Sequence, residues 1–310
     1  MSTMKVLCLL GPTASGKTNL AIELVKKSNY EIISVDSAMI YKGMNIGTGK
    51  PGSDILKQVP HRLVDILEPY DSYSVGDFCK DVKTNIIEIH GNNKIPILVG
   101  GTMMYFNALF NGLGDMPPSD INIRKKLDIL LKAKGLDYLY EELSKIDQES
   151  VKKIHGNDTQ RILRALEVYY VSGKPISSFK NNSESILSNY DVTNIVIYPE
   201  SRKELHENIA KRFHDMLDQG FIKEVENLYN RKDLDLNMPS IRSVGYKQAW
   251  QYLKGELDYD EMVEKSIAAT RQLAKRQFTW IRKLEKDNKF FYLDNLKDDI
   301  LDKVLLNQLI

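Results

Sequence analysis

The chain has 310 residues, of which 42% are hydrophobic and 27% charged, and its formal net charge is +1. This composition is typical of a folded globular protein and excludes disordered, collagen-like and membrane-spanning classes. The length predicts about two domains, and the near-neutral charge means that any nucleic-acid surface is a local patch. No signal peptide and no run of about 18 apolar residues is visible. Two cysteines provide neither a disulfide framework nor a paired-cysteine metal site, so we expect a cytoplasmic protein.

The first third of the chain alternates short aliphatic runs with longer amphipathic stretches. The runs at 5–10, 31–35 and 95–99 predict strands, and the stretches at 17–27 and 75–90 predict helices. Parallel neighbours in a sheet need a crossover between them, and this crossover is usually helical. The order of the elements therefore predicts an α/β fold with a parallel sheet.

A second region is predicted to be almost entirely helical, because leucine and isoleucine recur at three- and four-residue spacing from Ile121 to Val171. A β-like run at Asn194–Tyr198 then predicts a strand that rejoins the sheet. The rest is predicted to be helical at 202–219, 221–229, 245–253 and 259–284, with a turn around Pro239. Three parts result: an α/β core at 1–111, a helical insertion at 112–193, and a return to the core with C-terminal helices at 194–310.

The segment after the first predicted strand fits the pattern GxxxxGK[ST], and a helix pattern follows it directly. Its residues are Gly11, Pro12, Thr13, Ala14, Ser15, Gly16, Lys17 and Thr18. Such a loop turns backbone N–H groups toward one point and adds the charge of its lysine, so it predicts a diphosphate or triphosphate site in a P-loop NTPase-like core. The Thr18 hydroxyl is the candidate ligand for Mg²⁺. The alternative, a glycine turn that only joins strand to helix, does not require the full pattern.

A phosphate loop alone does not identify the reaction, because kinases, GTPases and motor ATPases also carry one. The strand at 95–99 lacks the acid that normally helps to hold magnesium, since Gly100, Gly101 and Thr102 follow it. An acid follows the second strand instead, as Asp36, at the edge where ligands bind in open α/β folds. Asp36 is therefore predicted to face an acceptor. The alternatives are a helix cap or an outer ligand of magnesium.

Further motifs follow the phosphate loop in a specific order along nearly the whole chain. They are DSAMIY at 36–41, MNIGTGKP at 44–51, PH at 60–61, GGTMMY at 100–105, DTQRILRALE at 158–167, RSVGYKQ at 242–248 and TRQLAKRQFTWIR at 270–282. Together these motifs resemble the bacterial tRNA dimethylallyltransferases, also called tRNA isopentenyltransferases. Two residues depart from that pattern: Gly49 stands where alanine is common, which we expect to be neutral, and Met39 stands where many members have glutamine.

The resemblance implies transfer of a dimethylallyl group from dimethylallyl diphosphate to N6 of the adenosine 3′-adjacent to the anticodon, in tRNAs that read codons beginning with U, with Mg²⁺ as cofactor. In this reaction the phosphate loop binds a leaving group, and Asp36 is the candidate base for the weakly nucleophilic amine. Thr102 matches a family position close to the target nucleotide, so the resemblance implies that it is catalytic together with Asp36. Arg212 is a candidate second charge near the diphosphate, and a solvated helix arginine is the alternative.

The resemblance also implies a tRNA-contacting surface drawn from several parts of the chain. Its candidate residues are Asp36, Ser37, Ala38, Met39, Thr102, Arg124, Gln160, Arg161, Ile162, Leu163, Arg164, Arg242, Ser243, Val244, Gly245, Tyr246, Lys247, Lys275, Arg276, Gln277, Phe278, Thr279, Trp280, Ile281 and Arg282. Ordinary surface salt bridges, with Glu167 for example, are the alternative for Arg161 and Arg164. From 241 to 290, 11 lysines and arginines stand against 7 acids, an excess that a solvated helix face would also show.

The expected partners are the tRNA anticodon stem-loop and dimethylallyl diphosphate, bound by a monomer without an obligate protein partner or a membrane. The helical insertion and the C-terminal helices are expected to contact the tRNA. The five histidines show no metal-binding spacing, so no zinc site is expected. Two other functions remain as alternatives: a P-loop small-molecule or nucleoside kinase, and a nucleotide-controlled RNA-binding protein without chemistry of its own.

Overall fold

A six-stranded parallel sheet forms the centre of the fold in the computed structural model, which describes residues 4–179, 184–199 and 201–294. The strands are β1 (Lys5–Leu10), β2 (Tyr30–Val35), β3 (His61–Arg62), β4 (Ile95–Gly100), β5 (Asp191–Tyr198) and β6 (Phe291–Asp294). Their order across the sheet is β3-β2-β4-β1-β5-β6. The predicted α/β class with a parallel sheet is confirmed.

Helices connect the strands and form the rest of the regular structure. They are α1 (Lys17–Lys27), α2 (Ser53–Gln58), α3 (Val75–Gly91), α4 (Met103–Asn111), α5 (Ile121–Ile146), α6 (Gln148–Val151), α7 (Thr159–Ser172), α8 (Arg202–Asp218), α9 (Phe221–Tyr229), α10 (Tyr246–Leu253) and α11 (Tyr259–Leu284), with a 3₁₀ turn at Ile176–Ser178. None of the helices in the described ranges combines the length and apolar composition that crossing a lipid bilayer requires.

The sequence pattern predicts the long elements well and misses the short ones. β1 and α1 have the predicted bounds, whereas β3, α2 and α4 lacked a prediction. β6 also lacked a prediction, because it follows the last predicted helix and four residues are too few to show a period. β5 begins at Asp191, three residues before the predicted run, because the first three residues of this strand are incompletely buried and carry no aliphatic pattern.

β1 lies at the middle of the sheet between β4 and β5, with Leu7 opposite Ile97 on one side and Thr193 on the other. All of its residues after Lys5 are buried. A strand buried on both faces has a continuous apolar run instead of an alternating pattern, which explains the sequence of β1. Since β2, β4 and β1 are adjacent and parallel, the segments that follow their carboxyl ends meet at one edge of the sheet.

Helices α8 to α11 build a second hydrophobic core beside the sheet. Phe213, Phe221 and Tyr246 are buried in this core. Ile40 and Met44, from the segment after β2, pack into the same cluster. This packing fixes the segment 36–51 near the edge where β1, β2 and β4 end.

The chain divides into two compact units. One contains the described residues up to Phe110 and those from Leu187 onward, and the other is Asn111–Ile186. Residues 187–193 thus group with the sheet, whereas the sequence-based boundary was placed after 193. The smaller unit is helical, with a core that includes Leu127, Leu139 and Leu143 from α5 and Ile162 from α7. Gly135 has φ +82° and breaks α5 into two helical segments.

Candidate active site

A cavity of about 840 Å³ lies in the larger unit, where the segments after β1, β2 and β4 meet. Residues from most of the predicted motifs line it together. They include Thr13–Thr18, Asp36–Met39, Gly100–Thr102, Arg212, Arg242–Tyr246, Arg276, Gln277 and Trp280. The cavity therefore joins a phosphate loop, a carboxylate and several guanidinium groups.

The phosphate loop has the backbone conformation that its glycines permit. Gly16 has φ +85°, a left-handed conformation that glycine adopts without steric cost. A Cβ on Gly11 would lie 2.6 Å from the carbonyl oxygen of Ile197 in β5, so only glycine fits there. α1 begins at Lys17 without a side-chain cap and without an acid in its first turn. Its first N–H groups are thus available to an anion.

Lys17 lies within the loop with only 8% of its surface exposed. Its Nζ donates hydrogen bonds to the carbonyl of Pro12 at 2.5 Å and to the hydroxyl of Ser15 at 3.4 Å. Burial and the neighbouring Arg212 lower the pKa of Lys17 to about 7, against an opposing effect of Asp36. A bound anion would supply the opposite charge that this ammonium lacks.

Arg212 reaches the phosphate loop from α8. Its Nη1 donates to the hydroxyl of Thr13 at 3.2 Å, and its Nη2 donates to the carbonyl of Thr48 at 3.3 Å. Burial lowers the pKa of Arg212, while Asp36 opposes this shift. A solvated helix arginine would show neither this burial nor these contacts, so the geometry favours the alternative in which Arg212 serves the loop.

Gly49 lies directly against the Arg212 guanidinium, and its φ is +67°. A Cβ at this position would overlap the guanidinium and would also strain the backbone. Glycine therefore fits beside Arg212 at this position, whereas alanine would fit only if the guanidinium shifted. The expectation that glycine at 49 is neutral stays a prediction.

Asp36 follows β2 and uses its two carboxylate oxygens differently. Oδ1 accepts hydrogen bonds from the backbone N–H groups of Ala38 at 2.8 Å and Met39 at 3.2 Å. This pattern is an Asx turn. Oδ1 therefore has the backbone-capping role that was the alternative for Asp36. Oδ2 accepts no hydrogen bond from the part of the chain that the structure describes, and Asp36 lines the cavity. One oxygen thus stays available to a proton donor.

Thr102 joins the end of β4 to the segment after β2. Its N–H donates to the carbonyl of Val35 at 3.2 Å, while its Oγ1 accepts from the N–H of Ser37 at 3.0 Å and donates to the Ser37 hydroxyl at 3.3 Å. Gly100 makes this close approach possible, because a Cβ there would overlap the Val35 carbonyl. Thr102 therefore helps to fix the position of the Asp36 loop.

The candidate tRNA contacts near α10 and α11 separate into two groups. Arg242 and Arg276 are exposed and line the cavity with Ser243, Val244, Gly245, Tyr246, Gln277 and Trp280. The remaining candidates lie outside the cavity lining: Lys247, Lys275, Phe278, Thr279, Ile281 and Arg282. Of these, Ile281 is 1% exposed and belongs to the core.

Gly11 and Pro12 of the phosphate loop are buried and do not line the cavity either.

The candidates in the helical unit form a separate set, made of Arg124 and Gln160–Arg164. Glu167 is 1% exposed and accepts from Arg124 Nε at 2.9 Å and Arg164 Nη1 at 2.8 Å. Arg164 Nη2 also donates to the carbonyl of Pro117 at 2.7 Å. The geometry of Arg164 thus favours the salt-bridge alternative over a tRNA contact. Arg161 is exposed, with its Nε 3.4 Å from Asp158, and Ile162 is buried.

Protein-family models and solved structures match this chain. A model described as IPP transferase matches residues 39–284, and one described as Isopentenyl transferase matches residues 4–65. The structure of the full-length tRNA isopentenylpyrophosphate transferase from Bacillus halodurans is 33% identical over 97% of this chain and 94% of that chain, with a TM-score of 0.67. This chain belongs to the tRNA dimethylallyltransferase family.

Two further solved structures resemble this tRNA dimethylallyltransferase. The tRNA delta(2)-isopentenylpyrophosphate transferase from Staphylococcus epidermidis is 34% identical, covers 98% of this chain and 99% of that chain, and has a TM-score of 0.68. A eukaryotic dimethylallyltransferase acting on tRNA is 30% identical, covers 99% and 77%, and has a TM-score of 0.81. The predicted family and its class, the tRNA prenyltransferases, are confirmed, and the kinase alternative is not favoured.

The sequence patterns missed Glu224, which shapes the site of the dimethylallyltransferase. Its carboxylate accepts hydrogen bonds from the backbone of residues 45–47, 177 to 179 positions earlier in the chain. Lys50 anchors the end of the MNIGTGKP motif, since its Nζ donates to the Tyr41 carbonyl at 2.9 Å and to Asp65 at 2.5 Å. The MNIGTGKP motif marked the segment, but no local pattern marks Glu224.

The donor set around the phosphate loop suits Mg²⁺ held partly by a substrate. Thr18 lines the cavity together with Asp36. Across the described ranges, no three His, Cys, Asp or Glu side chains cluster in a way that could hold a metal ion. Mg²⁺ in phosphate-binding enzymes usually takes one or two protein ligands, with phosphate oxygens and water in the other positions. A hydroxyl at the start of α1 fits that mode of binding.

Proposed function

We propose that the enzyme transfers the dimethylallyl group of dimethylallyl diphosphate to N6 of the adenosine 3′-adjacent to the anticodon, in tRNAs that read UNN codons. The products are N6-isopentenyladenosine and diphosphate. One observation carries this proposal: a single cavity is lined by the phosphate loop, by the free carboxylate oxygen of Asp36 and by exposed arginines of the α10 and α11 motifs. The transferase family supports the choice of reaction over phosphoryl transfer.

The phosphate loop would bind the diphosphate as a leaving group. Cleavage of the bond between C1 of the dimethylallyl group and the diphosphate oxygen increases the negative charge on that oxygen. The N–H groups at the start of α1 and the charges of Lys17 and Arg212 are fixed donors that stabilise this charge. Mg²⁺ held by Thr18 would add positive charge to the diphosphate when bound.

Asp36 would take the proton that the adenine amine loses. The N6 lone pair is delocalised into the ring, so the amine reacts slowly without a base. As N6 bonds to C1, the bond from C1 to the diphosphate breaks and one N–H proton passes to Asp36 Oδ2. The hydrogen bonds to Oδ1 hold the carboxylate in place during this step.

The target adenosine must leave the stacked anticodon loop to reach the cavity. Enzymes that act on a base extrude it into a pocket, and single-stranded loops are the part of RNA that proteins read through base edges and stacking. Arg242 and Arg276 are exposed at the cavity and suit phosphate contacts. We expect the exposed Arg161 of the helical insertion to add a further phosphate contact.

The test is mass spectrometry of an unmodified anticodon stem-loop that reads a UNN codon, after incubation with the enzyme, Mg²⁺ and dimethylallyl diphosphate. We expect a gain of one C5H8 unit on the adenosine 3′ of the anticodon. A matched stem-loop with guanosine at that position is the control and should gain nothing. Unchanged RNA mass with retained RNA affinity would favour an RNA-binding protein, and consumption of ATP in a parallel reaction would favour a kinase.

Two further expectations accompany the reaction. The enzyme should act as a monomer on one stem-loop, which light scattering of the complex would check. We also expect a reducing, cytoplasmic setting, because Cys8 and Cys79 are both buried free thiols.

A further inference from the structure

Glu224 collects four hydrogen bonds in the first turn of α9. Its Oε2 accepts from the backbone N–H groups of Asn45 and Ile46, both at 2.8 Å. Its Oε1 accepts from the N–H of Gly47 at 3.1 Å and from the Tyr246 hydroxyl at 2.5 Å. A carboxylate offers acceptor sites only, so it matches four converging donors, whereas an amide of the same size would oppose some of them with its own N–H groups.

The Tyr246 hydroxyl is a dependable donor in this cluster. Burial, with a further effect of Glu224, raises the pKa of Tyr246, so the phenol stays protonated. The ring of Tyr246 also packs against the backbone at 45–47. Gly47 lies so close to this ring that a Cβ would be 2.6 Å from a ring carbon. Glu224 and Tyr246 together therefore fix the backbone at 45–47.

The fixed turn leads directly to the candidate diphosphate site. The next carbonyl, that of Thr48, accepts a hydrogen bond from Arg212 Nη2 at 3.3 Å. The other guanidinium nitrogen, Nη1, donates to the hydroxyl of Thr13 in the phosphate loop at 3.2 Å. Gly49 lies against the same guanidinium. A continuous series of contacts thus runs from Glu224 through the turn and Arg212 to the phosphate loop.

We infer that Glu224 is a positioning residue for the diphosphate: it fixes the turn at 45–49, whose Thr48 carbonyl holds Arg212 beside the phosphate loop. This inference rests on the proposed function. Arg212 has a long, flexible side chain that lies near the like charge of Lys17, so it needs a fixed acceptor to stay in place. An acceptor set before the substrate arrives lowers the ordering cost of binding.

The test is a double-mutant cycle on the affinity for inorganic pyrophosphate, measured by calorimetry with Mg²⁺ present. We expect Glu224→Gln to weaken this affinity about tenfold and Arg212→Ala to weaken it at least as much. If Glu224 acts through Arg212, the double variant binds no more weakly than Arg212→Ala alone. Glu226→Gln is the matched control, because Glu226 lies on the same helix, has a side chain that is 42% exposed, and among the described residues forms an ion pair only with Lys223.

The cycle separates positioning from a general structural role. A structural role would lower RNA affinity together with pyrophosphate affinity, and the effects of Glu224→Gln and Arg212→Ala would add; that result would overturn the inference. So would normal pyrophosphate affinity in Glu224→Gln. Tyr246→Phe removes one bond of the four and should give a smaller loss in the same direction. Absence of product on the stem-loop would overturn the proposed function instead, since the cycle requires no RNA.

Discussion

The side chain of Gln277 accepts a hydrogen bond of 2.9 Å from the backbone N–H of Thr13, 264 positions earlier in the chain. Its amide nitrogen donates to the carbonyl of Gly101 at 2.9 Å, and the residue is 6% exposed. One buried amide thus joins the phosphate loop, the end of β4 and α11. The motif had suggested Gln277 as a tRNA contact, but both ends of this amide bind the protein backbone. We therefore interpret it as a determinant of the loop's shape.

Replacement of this amide should affect the loop more than the RNA surface. Gln277→Glu would place a carboxylate oxygen against the Gly101 carbonyl, so we expect a loss of about 1–3 kcal/mol in the free energy of unfolding. Pyrophosphate affinity should fall while RNA affinity stays near that of the wild type. Thermal unfolding and calorimetry measure these effects, and Gln272→Glu, the same exchange at an exposed position of α11, is the control. A selective loss of RNA affinity would contradict this interpretation.

The proposed role of Asp36 as a base can be separated from its role in the turn with Ala38 and Met39. Asp36→Asn keeps an oxygen for the N–H groups of Ala38 and Met39 but cannot accept the proton. We expect the single-turnover rate to fall by about 10²–10⁴-fold with RNA affinity retained. Asp36→Ala removes both functions and should also disturb the turn. A normal single-turnover rate in Asp36→Asn would remove Asp36 from the mechanism.

The contact between Gly49 and Arg212 provides a matched pair of variants. Gly49→Ala and Gly43→Ala both place alanine at a positive φ, +67° and +74°. Each should lower the free energy of unfolding by about 1–2 kcal/mol. Only Gly49→Ala meets the guanidinium, since a Cβ at Gly43 has no atom within 4 Å, so only Gly49→Ala should raise the KM for dimethylallyl diphosphate. An equal KM change in both variants would rule out a specific effect on Arg212.

The lowered pKa of Lys17 predicts how diphosphate binding depends on pH. In the ligand-free enzyme this pKa is about 7, and a bound anion raises it. Below this value the ammonium is present before and after binding. Above it, binding takes up a proton, so affinity falls as pH rises, by at most about tenfold per pH unit.

Calorimetry in buffers with different ionisation heats measures this proton uptake. At about pH 8, we expect the wild type to take up close to one proton more than Lys17→Met when pyrophosphate binds. The difference between the two proteins cancels the titration of pyrophosphate itself. Equal uptake would show that the Lys17 ammonium is already charged in the free enzyme.

Two arginines on the same face of α7 should respond differently to substitution. Arg161→Ala removes an exposed charge and should lower the salt dependence of RNA binding by about one phosphate contact. Arg164→Ala leaves the buried Glu167 with one partner fewer and should mainly destabilise the helical unit, by about 3–5 kcal/mol at most. Salt titrations of binding and thermal unfolding separate the two effects. Equal salt slopes for Arg161→Ala and the wild type would exclude the phosphate contact.

The phosphate loop could be located from the sequence because its determinants are consecutive residues between a strand and a helix. The position of Asp36 could be predicted in a similar way. It directly follows a predicted strand, and parallel strands end at the same edge of the sheet. Arg212 and Glu224 could not be placed in this way. Both lie in charged helices, and only tertiary packing brings them to Thr13 and to the turn at 45–47. The contact between Gly49 and Arg212 was missed for the same reason, because Arg212 comes from α8.

The contacts of the phosphate loop also determine when the site can form during translation. During translation, the residues of the phosphate loop emerge first, but β5 supplies the carbonyl against Gly11, α8 supplies Arg212 and α11 supplies Gln277. A nascent chain that ends before Gln277 therefore has the loop's sequence without the contacts that shape it. We expect the enzyme to reach its full affinity for diphosphate only after α11 has been synthesised and has packed against the loop.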